Sequence, residues 1–107
     1  DQGCYLGLDR YPGRLVSPHM RSVTLKKLID AGYQDRLCPS HDCICLAVLK
    51  ENADGSMPEE HEFARHNQHA YLYIKREVIP DLKEMGVADA TIETLFVDNP
   101  RRFFRGS

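Results

Sequence analysis

RLCPSHD, residues 36–42, decides the fold. Within the longer run CPSHDCIC, residues 38–45, stand three cysteines, one histidine and one aspartate. Such a cluster is either a knuckle of metal ligands or the end of a strand that delivers one functional carboxylate. The surroundings favour the strand. RLCPS (36–40) is a short run ending at His41-Asp42, and upstream GCYLGL (3–8) is a second short apolar run, bounded by Asp9-Arg10. Short apolar runs between turn signals read as buried strands.

Between the two runs lies a helix pattern. RYPGRLVSP (10–18) carries Pro12, Gly13 and Pro18 and reads as a loop. Ser17-Pro18 is a helix start, serine as N-cap and proline at the first helical position. Leu25, Leu28 and Ile29 share one helical face, and Gly32 ends the helix at C′. Strand, loop, helix, strand is a βαβ unit, and apolar rather than alternating strands suit a parallel sheet covered on both faces. Pro39 is the discordant residue, because it cannot donate to a ladder and belongs at an edge or bulge.

Beyond Asp42 the pattern loosens. Residues 43–69 begin apolar (CICLAVL) and turn polar, with a turn at Asp54-Gly55. From Tyr71 a helical stripe returns through Ile74, Val78, Leu82 and Met85. Pro80 predicts a kink near Ile79 or a fresh helix start, and Gly86 a C-cap. A further helix is expected over 89–97 with Asp89 as N-cap, and Asn99-Pro100 opens a last short helix ending in Phe103-Phe104. RRFFR (101–105) reads as amphipathic helix and not as a nucleic-acid patch.

Composition narrows the function. The 107 residues fit one domain, 42% apolar residues support a core, and 28% charged residues balance to a net charge of -2. That balance argues against nucleic acid or a membrane surface as partner. No apolar run approaches the roughly 20 residues that span a bilayer, and no signal peptide is visible. Asp1 followed by an apolar run looks like a chain entered in mid-domain. Of the four cysteines, Cys43 and Cys45 are too close for an unstrained bridge, so reduced thiols and a cytoplasmic protein are expected.

Three chemistries compete for CPSHDCIC. A structural zinc module would use Cys38, His41, Cys43 and Cys45, but no CxxC exists and the run overlaps apolar packing material. A redox or nucleophilic cysteine lacks a C-x-x-C and a readable histidine partner, so buried, inert thiols are the simpler reading. The third reading rests on Asp42 alone, at the carboxyl end of the second strand, with Arg10 at the matching place after the first. Parallel α/β folds collect functional groups there. The histidines after residue 60 read as polar loop residues, and His19 has no clear partner.

GLDRYPG (7–13), AGYQDRL (31–37), SHD (40–42), VIPDLKEMGV (78–87) and VDNPRRFF (97–104) together resemble the phosphotriesterase family of the amidohydrolase superfamily. The order and spacing fit over nearly the whole chain. The resemblance implies an α/β fold, the C-terminal part of a (β/α)8 TIM barrel, with residues 1–107 supplying its last two strand-helix units. It implies a zinc-dependent hydrolase with two divalent metal ions, acting on ester, lactone or phosphotriester bonds of small molecules. Asp42 would bind one metal and take the proton of the attacking hydroxide, a double role open to a carboxylate. Arg10 would contact substrate, and Ile44 and Leu46 would line an apolar pocket. The full-length protein is compatible with a homodimer. A closed barrel needs about 250 residues, and the family's HxH motif, bridging lysine and two later histidines are absent here, so the chain alone is expected to be inactive. The alternative remains the small zinc module on Cys38, His41, Cys43 and Cys45.

Overall fold

The computed structural model describes residues 3–9, 11, 15–41, 51–56 and 70–106. Strand β1 (Leu6–Leu8) and strand β2 (Leu37–Pro39) pair in parallel, with Leu6 opposite Leu37, Gly7 opposite Cys38 and Leu8 opposite Pro39. Helix α1 (Pro18–Asp30) and a 3₁₀ turn at Gln34–Arg36 connect them, so the expected βαβ unit is present with shorter strands. Ser40 N–H donates to the Leu8 carbonyl at 3.1 Å. Alternate residues of a strand turn their N–H groups to the same side, so the nitrogen of Pro39 faces away from β1 and its missing donor costs no bond in this pair.

Helix α1 starts where serine and proline dictate. Ser17 Oγ accepts from Met20 N–H at 3.2 Å, and Pro18 occupies the first turn, where its absent N–H has no partner to lose. The helix ends in a left-handed Gly32, φ 88°, with Tyr33 N–H on the Leu28 carbonyl and Gly32 N–H on that of Ile29. Gly86, also φ 88°, repeats this ending after the next helix, with buried Val87 donating to the carbonyl of buried Leu82.

The later helices add to expectation a π turn ahead of each proline. A π turn at Ile74–Val78 runs directly into α2 (Ile79–Glu84), and Ile79 N–H reaches back to the Ile74 carbonyl. A second π turn at Thr94–Asp98 joins α3 (Asp89–Glu93) to α4 (Asn99–Arg105), with Asn99 N–H on the Thr94 carbonyl. α4 opens at Asn99-Pro100 and α2 at Ile79-Pro80, as the prolines suggest, but each follows its π turn without a break in the helical backbone. A proline ring collides with the carbonyl four residues back, and the wider turn ahead of each ring makes room, so each helix continues. Ala88, not Asp89, is the extended N-cap of α3, and Asp89 lies in the first turn, 3.2 Å from Lys83 Nζ.

The helices and the sheet share one core. The core joins Tyr11, Leu25, Leu37, Ile74, Val78, Leu82, Val87, Ile92 and Leu95, with Leu8, Leu28 and Ile29 packed against it. Leu37 and Pro39 are buried on one side of the sheet, whereas Gly7 is exposed and Cys38 half-buried on the other. Among the described residues the expected coverage is thus fuller on the Leu37–Pro39 face than on the Gly7–Cys38 face. Of the helical stripe, Ile74, Val78 and Leu82 are buried, but Tyr71 is 57% exposed. Cys4 is exposed rather than buried. The amphipathic end of α4 sets Phe103 edge-on to Tyr5, ring centroids 5.5 Å apart, and Arg36 lies over the same Tyr5 ring.

Candidate active site at the strand ends

The carboxyl ends of β1 and β2 are joined beyond the strands themselves. Tyr11 N–H donates to the Ser40 carbonyl at 3.1 Å, extending the ladder past Leu8 and Pro39. Tyr11 is 2% exposed, and its hydroxyl lies 3.4 Å from Ser22 Oγ in the second turn of α1. Burial pushes the Tyr11 phenol up, against smaller opposing effects of the Ser22 bond and the Arg21 charge. Arg21, one residue earlier on α1, donates from Nη1 to the Asp9 carbonyl at 3.2 Å and from Nε to the Val16 carbonyl at 3.4 Å. The chain leaving β1 is thus fixed at Asp9, Tyr11 and Val16.

The end of β2 is fixed from the helical side. His41 Nε2 accepts the Ile74 N–H at 3.0 Å, so the imidazole serves one of the amides at the start of a helix. Burial holds the His41 pKa below its usual value, which keeps the ring neutral and able to accept. The Nδ1 nitrogen then carries the proton. Burial likewise pushes the Cys38 thiol up, partly offset by the Arg102 charge, so Cys38 is poor as thiolate nucleophile and as ligand. His19, without a partner in the sequence reading, pairs with Asp81 Oδ2 at 3.0 Å and ties α1 to α2.

Arg10, Asp42, Ile44 and Leu46, the residues the sequence points to, lie outside the described residues, as do Cys43, Cys45 and the histidines after residue 60. Their described neighbours Asp9, Tyr11, Ser40 and His41 are brought together at one end of the sheet. Tyr11, Arg21 and the capping role of His41 were missed in the sequence. Tyr11 and Arg21 stand in ordinary loop and helix positions, and only a tertiary contact gives them a role. Among the described residues no group of three or more histidine, cysteine, aspartate or glutamate side chains could hold a metal ion. Among the same residues no helix is long and apolar enough to cross a membrane.

Comparison with known proteins places this arrangement. The phosphotriesterase homology protein of Mycobacterium tuberculosis is 37% identical over 105 residues, covering 95% of this chain and 29% of the relative. The aryldialkylphosphatase of Saccharolobus solfataricus is 34% identical, over 97% of this chain and 32% of its own. The solved phosphotriesterase structure from Mycobacterium tuberculosis superposes with a TM-score of 0.75 at 37% identity, over 95% of this chain and 30% of that one. A mutant of the organophosphorus hydrolase from Deinococcus radiodurans gives 0.71 at 28% identity, over 95% and 31%. The chain thus spans under a third of the length of these relatives, as an α/β fragment matching proteins of TIM-barrel fold. With residues 1–104 matching the model of the phosphotriesterase family, this chain belongs to that family.

Proposed function

We propose that residues 1–107 are the C-terminal part of one metal-dependent hydrolase barrel, β1 and β2 being its seventh and eighth strands. The observation that carries the reading is the Tyr11–Ser40 main-chain bond, which holds the two strand ends side by side. Groups attached there can act on one substrate, as they do at the carboxyl ends of barrel strands. The face bearing Gly7 and Cys38 would be the barrel interior, and the Leu37–Pro39 face its outside.

In this reading Asp42 supplies one carboxylate ligand and accepts the proton of the attacking water. Side chains of a strand alternate, and His41 is turned toward the helices by Ile74, which supports the opposite side for its neighbour. Arg10 would steady the oxygen that gains charge, and Ile44 and Leu46 would form an apolar wall. In this reading the remaining ligands would come from the rest of the polypeptide. Two divalent ions, zinc by preference for nitrogen and carboxylate ligands, would supply Lewis acidity when bound. The substrate class is a small ester, lactone or phosphotriester, a reading supported by relatives named phosphotriesterase homology protein and aryldialkylphosphatase.

The alternative zinc module on Cys38, His41, Cys43 and Cys45 fits less well. His41 Nε2 already accepts the Ile74 amide, and burial disfavours the Cys38 thiolate that zinc requires. The two readings separate in the intact polypeptide carrying this segment. Asp42→Asn should lower hydrolysis of an aryl phosphotriester or a lactone by at least about a hundredfold and reduce bound zinc. Loss of zinc on Cys38→Ser, with Asp42→Asn silent, would overturn the hydrolase site in favour of the module.

A further inference from the structure

We propose that Arg21 is a positioning residue for substrate binding: its guanidinium braces both ends of the connection leaving β1, and so sets the place from which Arg10 meets substrate. The inference rests on the assignment of Arg10 made above.

Two observations carry it. The first is geometric. Asp9 and Val16 flank the six residues of the connection, and Arg21 donates to the carbonyls of both, from Nη1 at 3.2 Å and from Nε at 3.4 Å. A planar guanidinium with donors in a fixed fork can hold two acceptors at a set separation, and a single ammonium cannot do the same. The neighbouring Ser22 meets Tyr11 through its hydroxyl, so α1 grips the connection at three described points.

The second observation is electrostatic. Helix N-termini carry partial positive charge, and a cation there is of the wrong sign. Arg21 stands four residues after the N-cap Ser17, and the first turn of α1 contains no acidic residue to compensate. For α1 alone an arginine here is a poor choice. Its two carbonyl bonds give the position a purpose beyond the helix, because they act on the path of the chain next to Arg10. Displacement of a substrate contact by about 1 Å can cost up to about a hundredfold in rate, so a brace at this place has leverage on binding.

The test uses the intact, metal-loaded polypeptide carrying this segment. Arg21→Met, Arg21→Lys, Arg10→Ala and the double variant Arg21→Met with Arg10→Ala are compared by steady-state kinetics on a phosphotriester and a lactone. Arg21→Met should raise KM about tenfold with kcat within about twofold, as expected for a displaced binding contact. Arg21→Lys, which can reach only one carbonyl, should fall between it and the parent, and it replaces Arg21→Met in every comparison should that protein not accumulate. The double variant should be no worse than Arg10→Ala alone, because the brace acts through Arg10. Two independent, multiplying losses would overturn the inference. So would an unchanged KM in Arg21→Met beside a raised KM in Arg10→Ala. An unchanged KM in Arg10→Ala overturns the Arg10 assignment itself, and this inference with it.

Discussion

The carboxamide of Asn99 donates to the carbonyl of Leu37 at 2.8 Å, and Asn99 has no exposed surface. Its second hydrogen goes to the Gln34 carbonyl at 2.6 Å, and its oxygen accepts from Arg102 Nη2. One side chain of the last helix thus holds the entry of β2, the strand that leads to Ser40, His41 and Asp42. A buried carbonyl that loses its donor costs about 1–3 kcal/mol. Asn99→Ala strips two carbonyls at once, and the expected loss is about 2–4 kcal/mol. A lowered urea midpoint with unchanged slope would show it. Asn99→Asp should be as damaging, since a buried carboxylate would face two carbonyl oxygens.

Pro80 gives the opposite prediction. In an ordinary helix interior, proline costs about 3 kcal/mol. Here the π turn at Ile74–Val78 has already moved the offending carbonyl aside. Replacing the ring by Pro80→Ala should therefore change stability by less than about 1 kcal/mol. Leu82→Ala, two residues on at a fully buried position, should cost about 2–5 kcal/mol. Denaturation curves of the two variants separate the effects, and a gain of 3 kcal/mol or so in Pro80→Ala would refute the accommodated-proline account.

These two positions show where the sequence was legible. The βαβ order, the Ser17-Pro18 start and the Gly32 and Gly86 endings follow from local rules, because capping and left-handed φ are decided within a turn. The interruption at Pro80 and the opening of the last helix at Asn99-Pro100 follow from the same local rules, but the π turns ahead of them do not. Local rules see a ring that breaks a helix, but the π turns that rescue it are stabilised by distant burial of Leu95, Asn99 and Val78. The proposed site was legible only as chemistry-bearing residues at two expected strand ends. Its bracing by Tyr11, Arg21 and His41 joins residues 11 with 22 and 40, 21 with 9, and 41 with 74, pairings that no window of sequence contains.

Tyr11 sets an alkaline limit. Its pKa is raised by burial above the usual value of 10.0, so the folded protein holds the phenolic proton more tightly than the unfolded chain does. The stability this contributes is complete below pH 10 or so and is lost as pH rises through the folded value. Denaturation midpoints should fall above that pH, together with a late-titrating tyrosinate absorbance. Tyr73, also raised by burial, will add to both signals, so the diagnostic result is the difference made by Tyr11→Phe. A variant with an unchanged alkaline slope would show that Tyr11 is not the group responsible.

His41 is predicted to matter as an acceptor and not as a cation. His41→Ala leaves the Ile74 amide without its partner at the head of the second helix, a loss comparable to removing a helix cap, about 1 kcal/mol. His41→Gln offers an amide oxygen of similar reach and should recover part of it. Exchange of the Ile74 amide hydrogen reports directly, faster in the alanine variant and slower in the glutamine one. Equal exchange in all three would remove the bond from the account.

The segment by itself should bind substrate poorly and turn none over. It offers Asp42 as its one proposed metal ligand, and a lone carboxylate does not satisfy zinc, which takes four ligands in structural sites and three plus water in catalytic ones. Among the described residues the sheet has only two strands, so each has an edge without a partner, and Gly7 is exposed on one face. Residues 1–107, expressed alone and supplied with zinc, should therefore hydrolyse neither a phosphotriester nor a lactone, and light scattering should show association through the open edges. Turnover that tracks added zinc in a monodisperse monomer would mean that the missing ligands are not needed, and would end the proposal of a barrel completed by the rest of the polypeptide.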